Sequence, residues 1–197
     1  LQLSDAAFGL GAGLFFVGYI LFEVPSNLIL KRVGARVWIA RIMVSWGGLS
    51  ACTLLVTTPA QFYVLRLLLG IAEAGFLPGV LYYLTLWFPT HRRGRMIALF
   101  MIGLPLSSVI GAPLSGWILE AFDGLQGLRG WQWLFLLEGV PSVLLGLLAL
   151  RLLPEGPQDA EWLDLREQGH LLRDLTVDEA QSPASGDSFR QGFFSSR

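Results

Sequence analysis

The stretch from Gln61 to Pro89, QFYVLRLLLGIAEAGFLPGVLYYLTLWFP, is apolar for long enough to cross a bilayer and still carries two charges. A hydrocarbon core about 30 Å thick takes about 20 apolar residues as helix. Arg66 and Glu73 fall inside this run, where each costs roughly 2.5–3.5 kcal/mol at a helix centre. Their spacing amounts to about two helical turns, so both leave nearly the same face about 10 Å apart along the axis. Gly70 lies on that stripe and leaves room beside it. Lipid would not tolerate such a stripe, so it is expected to face protein or a water-filled cavity. Charges placed this way either hold neighbouring helices in register or serve function, and function is the default expectation.

Of 197 residues, 53% are hydrophobic and 15% are charged, against about 25% charged in a soluble domain. The apolar runs occupy residues 1–153, and 154–197 are polar. Several runs of this length define an all-α, polytopic transmembrane helix bundle. The net charge of −1 says nothing about nucleic acid, and no basic face with aromatic interleaving appears. Cys52 is the single cysteine, so no internal disulfide is possible. No basic n-region or cleavage site marks a signal peptide. No Cys/His metal spacing, phosphate loop or nucleophile elbow occurs, and no cofactor is implied. Both histidines, His91 and His170, lie outside the spans.

Five spans are expected at about 6–30, 37–56, 61–88, 96–122 and 131–153, with short links that make sequence neighbours antiparallel neighbours. Lys31, Arg32 and Arg36 mark the first link, and His91, Arg92, Arg93 and Arg95 the third. The second link, Thr57–Ala60, is uncharged, and the fourth carries Arg129 beside Glu120 and Asp123. Basic links alternate with non-basic ones, so the first and third links and the tail are expected on the cytoplasmic side. Leu1 then starts outside, which implies a preceding helix, and the odd span count implies a following part. Arg41 and Arg151 near the basic ends are explained by snorkelling. Glu23 and Glu138 either line a cavity or make helix-packing hydrogen bonds.

Pro25, Pro78, Pro105, Pro113 and Pro141 fall within the spans, where neighbouring helices or water must satisfy the freed carbonyls. Gly9 and Gly13, Gly75 and Gly79, and Ala112 and Gly116 repeat at a spacing that permits close helix approach. After Leu153 the composition shifts. Residues 154–197 form a separate segment: Ala160–Leu175 has the pattern of a short amphipathic helix on the cytoplasmic surface. Thr176–Arg197, rich in Ser, Gln and Gly, is expected to be disordered.

The run RVGAR at Arg32–Arg36 resembles the loop signature of the major facilitator superfamily, G-x-L-x-D-R-x-G-R-R. Arg32, Gly34 and Arg36 match it, while Lys31 stands at the Asp position and Asn27 at the first Gly position. Arg66-x-x-x-Gly70 is similar to the fourth-helix motif, and Gly111-Ala-Pro113-x-x-Gly116 to the fifth-helix motif, with Ala112 inserted. EVPSN at Glu23–Asn27, GARVWIAR at Gly34–Arg41, Gly70–Pro89 and WQWLFLLEGVPS at Trp131–Ser142 resemble the anion:cation symporter branch, nearest its bacterial tartrate and phthalate permeases. The resemblance, which covers about residues 1–175, implies that the five spans are the second to sixth of twelve. The first helix and the C-terminal half would then be absent.

It further implies that Arg66 binds an anionic substrate, that Tyr19, six residues before Pro25, faces the same cavity, and that Glu73 takes part in proton coupling. The chemistry is compatible. A guanidinium stays protonated and presents a planar fork to a carboxylate. A carboxyl in a partly dehydrated cavity can load and release a proton near neutral pH. The expected function is therefore symport of small organic anions with protons across an inner membrane by alternating access. The partners are the anion, the proton, the bilayer and the other half of the carrier. The rivals are a solute-binding or sensor protein of the same fold that does not transport, and a membrane-embedded enzyme, for which no catalytic constellation is present.

Overall fold

A computed structural model of the chain describes residues 4–181, whose regular elements are helices without strands. Helix α1 runs Asp5–Val33, α2 Ala35–Cys52, α3 Pro59–Glu73, α4 Phe76–Trp87, α5 Thr90–Ala121, α6 Gly130–Leu152 and α7 Leu165–Gln181. Five segments are long and apolar enough to cross a membrane: α1, α2 with the turn after it, α3 with α4, α5, and α6. Each boundary has a local cause. Ser4 Oγ accepts from Ala7 N at 3.2 Å and opens α1. Thr58 and Gln61 form a capping box with Pro59 in the first turn of α3, where its missing N–H costs nothing. Asp123 Oδ1 accepts from Gly130 N at 2.8 Å and opens α6.

The expected continuous helix over about 61–88 is two helices. Ala74 is extended at ψ 126, and Gly75 takes the left-handed region at φ 86. Fifteen residues of α3 rise about 22 Å and twelve of α4 about 18 Å, so neither alone spans the hydrocarbon core and together they do. The break also accounts for Pro78, which falls in the first turn of α4, where no intrahelical partner is lost. The other four prolines lie inside α1, α5 and α6.

Three helix pairs approach at the backbone through glycine; at α5–α6 a Cβ on Gly130 would strike the Leu119 carbonyl oxygen. At α1–α3, a Cβ on Gly70 would strike the Phe15 carbonyl oxygen, and one on Gly18 would come within 2.6 Å of the Leu67 oxygen. At α2–α6, Gly47 and Gly139 face each other, and a Cβ on either would lie 2.6 Å from the other's carbonyl oxygen. Gly9 and Gly13, expected to allow close approach, have open space around them. The close contacts on α1 come from Gly11 and Gly18, a repeat of seven rather than four. Gly116 is likewise open.

Apolar side chains fill the space between these pairs. Leu30, Trp38, Ile39 and Ile42 are buried with Phe76 and Tyr83 packed against them, and Val56, Leu65 and Leu69 are buried beside Phe15 and Phe62. Helix α5, in contrast, buries Ile118 alone among its residues.

At the basic end, the helices reach further than the links suggested. Gly34 is the whole connection between α1 and α2, so Lys31 and Arg32 sit in the last turn of α1 and Arg36 in the first turn of α2. Helix α5 begins at Thr90 rather than near Met96, which makes His91–Arg95 helical. Beyond α6, Ala160–Asp164 is not helical. The Trp162 ring stacks on Trp87 at 5.8 Å and 7°. The amphipathic helix follows later, as α7, and Thr176–Gln181, expected to be disordered, continues it. The rest of that expectation, 182–197, lies outside the described residues.

Candidate functional site

Arg66 projects from the middle of α3 toward α1. Its guanidinium carbon lies 5.2 Å from the Phe15 ring centroid, close enough for a cation–π attraction of about 0.5–2 kcal/mol. Its Nε is buried without a hydrogen-bond acceptor. Tyr19, one turn beyond Phe15 on α1, has its ring 6.3 Å from that of Phe15. Gly70, one turn beyond Arg66, brings α3 against the α1 backbone at Phe15 and Tyr19, because its missing Cβ lets the two helices touch there.

Glu73 is the last residue of α3 and is half-buried. It lines a cavity of about 210 Å³ with Ile42, Met43 and Trp46 of α2, Phe76 of α4 and Ser142 of α6. The Trp46 indole lies beside the carboxyl, and Arg66 is near enough to act on it electrostatically. Glu73 in turn is an electrostatic neighbour of Tyr19, as is Glu23. Arg66 and Glu73 nevertheless form no ion pair; among the described residues those are Arg36–Glu155 and Arg93–Asp178. Tyr19, Arg66 and Glu73 therefore share one region, with the cation stacked on an aromatic ring instead of neutralised by the acid.

The break between α3 and α4 is held by residues that sequence reasoning passed over. Ser26 Oγ, buried on α1, donates to the Ala74 carbonyl at 2.6 Å and accepts from Trp38 Nε1 at 2.9 Å. Arg41 Nη1 donates to the Ala72 carbonyl at 3.1 Å, and its guanidinium carbon stands 4.1 Å over the Trp38 ring. Snorkelling does not describe Arg41: its charge turns inward to the C-terminal carbonyls of α3, where a cation is favoured. The signal was present in the sequence, since EVPSN carries Ser26 and GARVWIAR carries both Trp38 and Arg41. Spacing within either run does not disclose that they meet.

The loop-motif residues lie apart from this region. Arg32 is exposed. Gly34 has φ 93, and a Cβ there would collide with the Glu155 carboxylate. Arg36 Nε lies 3.8 Å from Glu155 Oε2. Gly111, Pro113 and Gly116 lie on α5; around Gly111 and Gly116 there is open space, and Pro113 is exposed. Between them Ser115 Oγ donates to Glu138 Oε1 on α6 at 3.1 Å, a hydrogen bond between helices of the kind weighed for Glu138. Among the described residues no three His, Cys, Asp or Glu side chains come together as a metal site.

The family description Major Facilitator Superfamily matches residues 1–194. The protein named "Putative metabolite transport protein NicT" of Pseudomonas putida is 69% identical over 98% of this chain and 44% of its own length. The "Putative tartrate transporter" of Agrobacterium vitis is 49% identical over 98% of the chain and 42% of itself. The "Inner membrane transport protein RhmT" of Escherichia coli is 41% identical over 96% and 44% respectively. The chain thus spans less than half the length of these relatives. With five membrane-crossing segments and a family match over nearly every residue, the chain belongs to the Major Facilitator Superfamily, a family of multi-pass membrane transporters rather than enzymes.

Proposed function

We propose that this chain forms part of an inner-membrane carrier that moves small carboxylates together with protons. Arg66 and Tyr19 contact the anion, and Glu73 carries the proton. One observation carries the reading: a guanidinium inside a membrane bundle, with a buried Nε lacking any acceptor and no carboxylate paired to it. A buried donor left without an acceptor is costly, and an anionic guest would relieve that cost. The nearby Glu73 forms no ion pair with Arg66 and lies close enough for the two to act on each other electrostatically, so it would feel the guest's charge. The printed names of the relatives, one of them a tartrate transporter and one an inner membrane transport protein, support a carboxylate substrate and that membrane.

The test is uptake by vesicles containing the full gene product under an imposed pH gradient, with tartrate first in a panel of carboxylates. Arg66→Gln is expected to abolish uptake of every member. Glu73→Gln is expected to retain counterflow exchange and lose acceleration by the gradient. Gradient-driven uptake undiminished by Glu73→Gln would remove that residue from proton coupling.

A further inference from the structure

We propose that Ser26, Trp38 and Arg41 are positioning residues for Glu73: they pin the interruption between α3 and α4 so that the carboxyl is delivered into the cavity among Trp46, Phe76 and Ser142. A use of that carboxyl for proton transfer rests on the function proposed above; its placement does not.

The argument begins with the backbone. A helix that stops in mid-membrane leaves its last carbonyls without intrahelical donors, and lipid offers none, so neighbouring side chains or ordered water must supply them. Here Ala74 N returns to Gly70 O at 3.1 Å. The next two free carbonyls for which partners exist, Ala72 and Ala74, are taken by side chains from two other helices, Arg41 on α2 and Ser26 on α1. Glu73 lies between those two anchored carbonyls. Arg41 on the Ala72 carbonyl holds the peptide plane before Glu73, and the Ala74 N–H on Gly70 holds the plane after it. Ser26 on the Ala74 carbonyl locks the next plane, where the helix breaks; the Cα–Cβ bond of Glu73 is thereby aimed.

Three further observations fit a built device rather than incidental packing. Ser26 is buried and spends both its hydrogen-bonding roles on this one point, donating to Ala74 and accepting from Trp38. The Trp38 ring beneath the Arg41 guanidinium holds that cation over the end of α3. Gly75 supplies the left-handed turn, and a Cβ on it would run into Ser26 Oγ. The three side chains thus close around the turn from α1 and α2, while α6 contributes Ser142 to the cavity beyond. The charged and titratable groups facing Glu73 are Arg66 on its own helix and Tyr19 on α1, with Glu23 one turn beyond Tyr19 and Arg41 on α2. Helix α6 brings a hydroxyl and α4 a phenyl ring to the cavity.

A hydrophobic carbodiimide, which reacts with protonated carboxyls in apolar surroundings, reads this placement without knowledge of the substrate. The full gene product in lipid nanodiscs is labelled with dicyclohexylcarbodiimide across a pH series, and modification of Glu73 is followed by peptide mass spectrometry. Ser26→Ala and Trp38→Phe each remove one polar atom and keep most of the volume. In each, the pH of half-maximal labelling is expected to move by at least about half a unit, equivalent to about threefold in the ionisation ratio. Labelling of Glu73 with an unmoved pH profile in both variants, or no labelling of Glu73 in the parent, overturns the proposal. A moved profile combined with gradient-driven uptake insensitive to Glu73→Gln leaves the positioning intact and defeats the proton-coupling role instead.

Discussion

A guanidinium differs from an ammonium in shape as much as in charge, and the surroundings of Arg66 use the shape. The guanidinium carbon lies over the Phe15 ring and Nε is without an acceptor, so a planar, multi-donor group is held here with donor capacity to spare. Lys at this position keeps the charge and loses both the fork and the stacking. If the proposed carboxylate transport holds, Arg66→Lys in the full gene product should raise the KM for the carboxylate about tenfold, the equivalent of about 1.4 kcal/mol. An unchanged KM would mean that a point charge suffices. The glycines at the same crossing give a sharper structural contrast. Gly70→Ala places a methyl on the Phe15 carbonyl oxygen, a backbone atom that cannot swing aside; overpacking of this kind costs about 1–3 kcal/mol. Gly9→Ala meets nothing. Thermal unfolding in detergent is expected to fall clearly for the first and to stay level for the second. Equal losses would show that the α1–α3 contact is looser than these distances state.

At the scale of the element, the interruption at Ala74–Gly75 decides where Glu73 points, and it was poorly legible beforehand. Apolarity runs from Ile71 to Leu84 with Glu73 the one charge in it, and hydropathy carries no record of φ. The residues that could have disclosed it are Gly75 and Pro78 together: a left-handed position followed by a first-turn proline. The Arg66 and Glu73 pair, by contrast, was legible from spacing alone, because a helix imposes it. What spacing could not supply was the far side of the cavity. Met43, Trp46 and Ser142 come from α2 and α6, which meet through the Gly47–Gly139 contact, through Gly146 against Ala40 and through the Ser142 hydroxyl on the Met43 carbonyl. Arg41 was misjudged for the same reason: distance from a helix end says nothing about a neighbour's free carbonyl. Gly75→Ala should show the cost of the break, since a Cβ in the left-handed region costs about 1–2 kcal/mol and would also meet Ser26 Oγ. Gly79→Ala, inside α4 with Ile39 at an ordinary 3.6 Å, should be tolerated. If both variants melt together with the parent, the turn is not the rigid feature described.

Across the whole molecule, the polar segment after α6 is fastened back onto the bundle at the basic end, and one carboxylate closes the contact. Tyr83 Oη donates to the Pro154 carbonyl at 2.9 Å, Trp162 lies on Trp87, and Asp178 near the end of α7 reaches the start of α5. Helix α5 opens after Pro89, which has no side-chain oxygen to cap it. Asp178 Oδ2 fills that role from a distance, accepting from Thr90 N at 3.0 Å and Thr90 Oγ1 at 2.7 Å, with Arg93 Nη2 at 3.6 Å. The Thr90 hydroxyl above all, then the Thr90 N–H, Arg93 and His91, holds the Asp178 carboxyl below the usual carboxylate range. The sign follows from linkage. A carboxyl whose pKa is lowered by docking favours the docked form in full above its ordinary value of 3.8, and that preference is lost as pH falls through the lowered value. Spin labels replacing the exposed Arg95 on α5 and Arg173 on α7 would report the docking as a distance. The distribution should stay narrow from neutral pH down to the ordinary carboxylate value and broaden only below it. Asp178→Asn should broaden it already at neutral pH, because the amide keeps the size and loses the charge that faces Arg93 and the N-terminus of α5. A narrow distribution in Asp178→Asn would assign the docking to Trp162 on Trp87 and the other contacts of the segment, with the carboxylate a bystander.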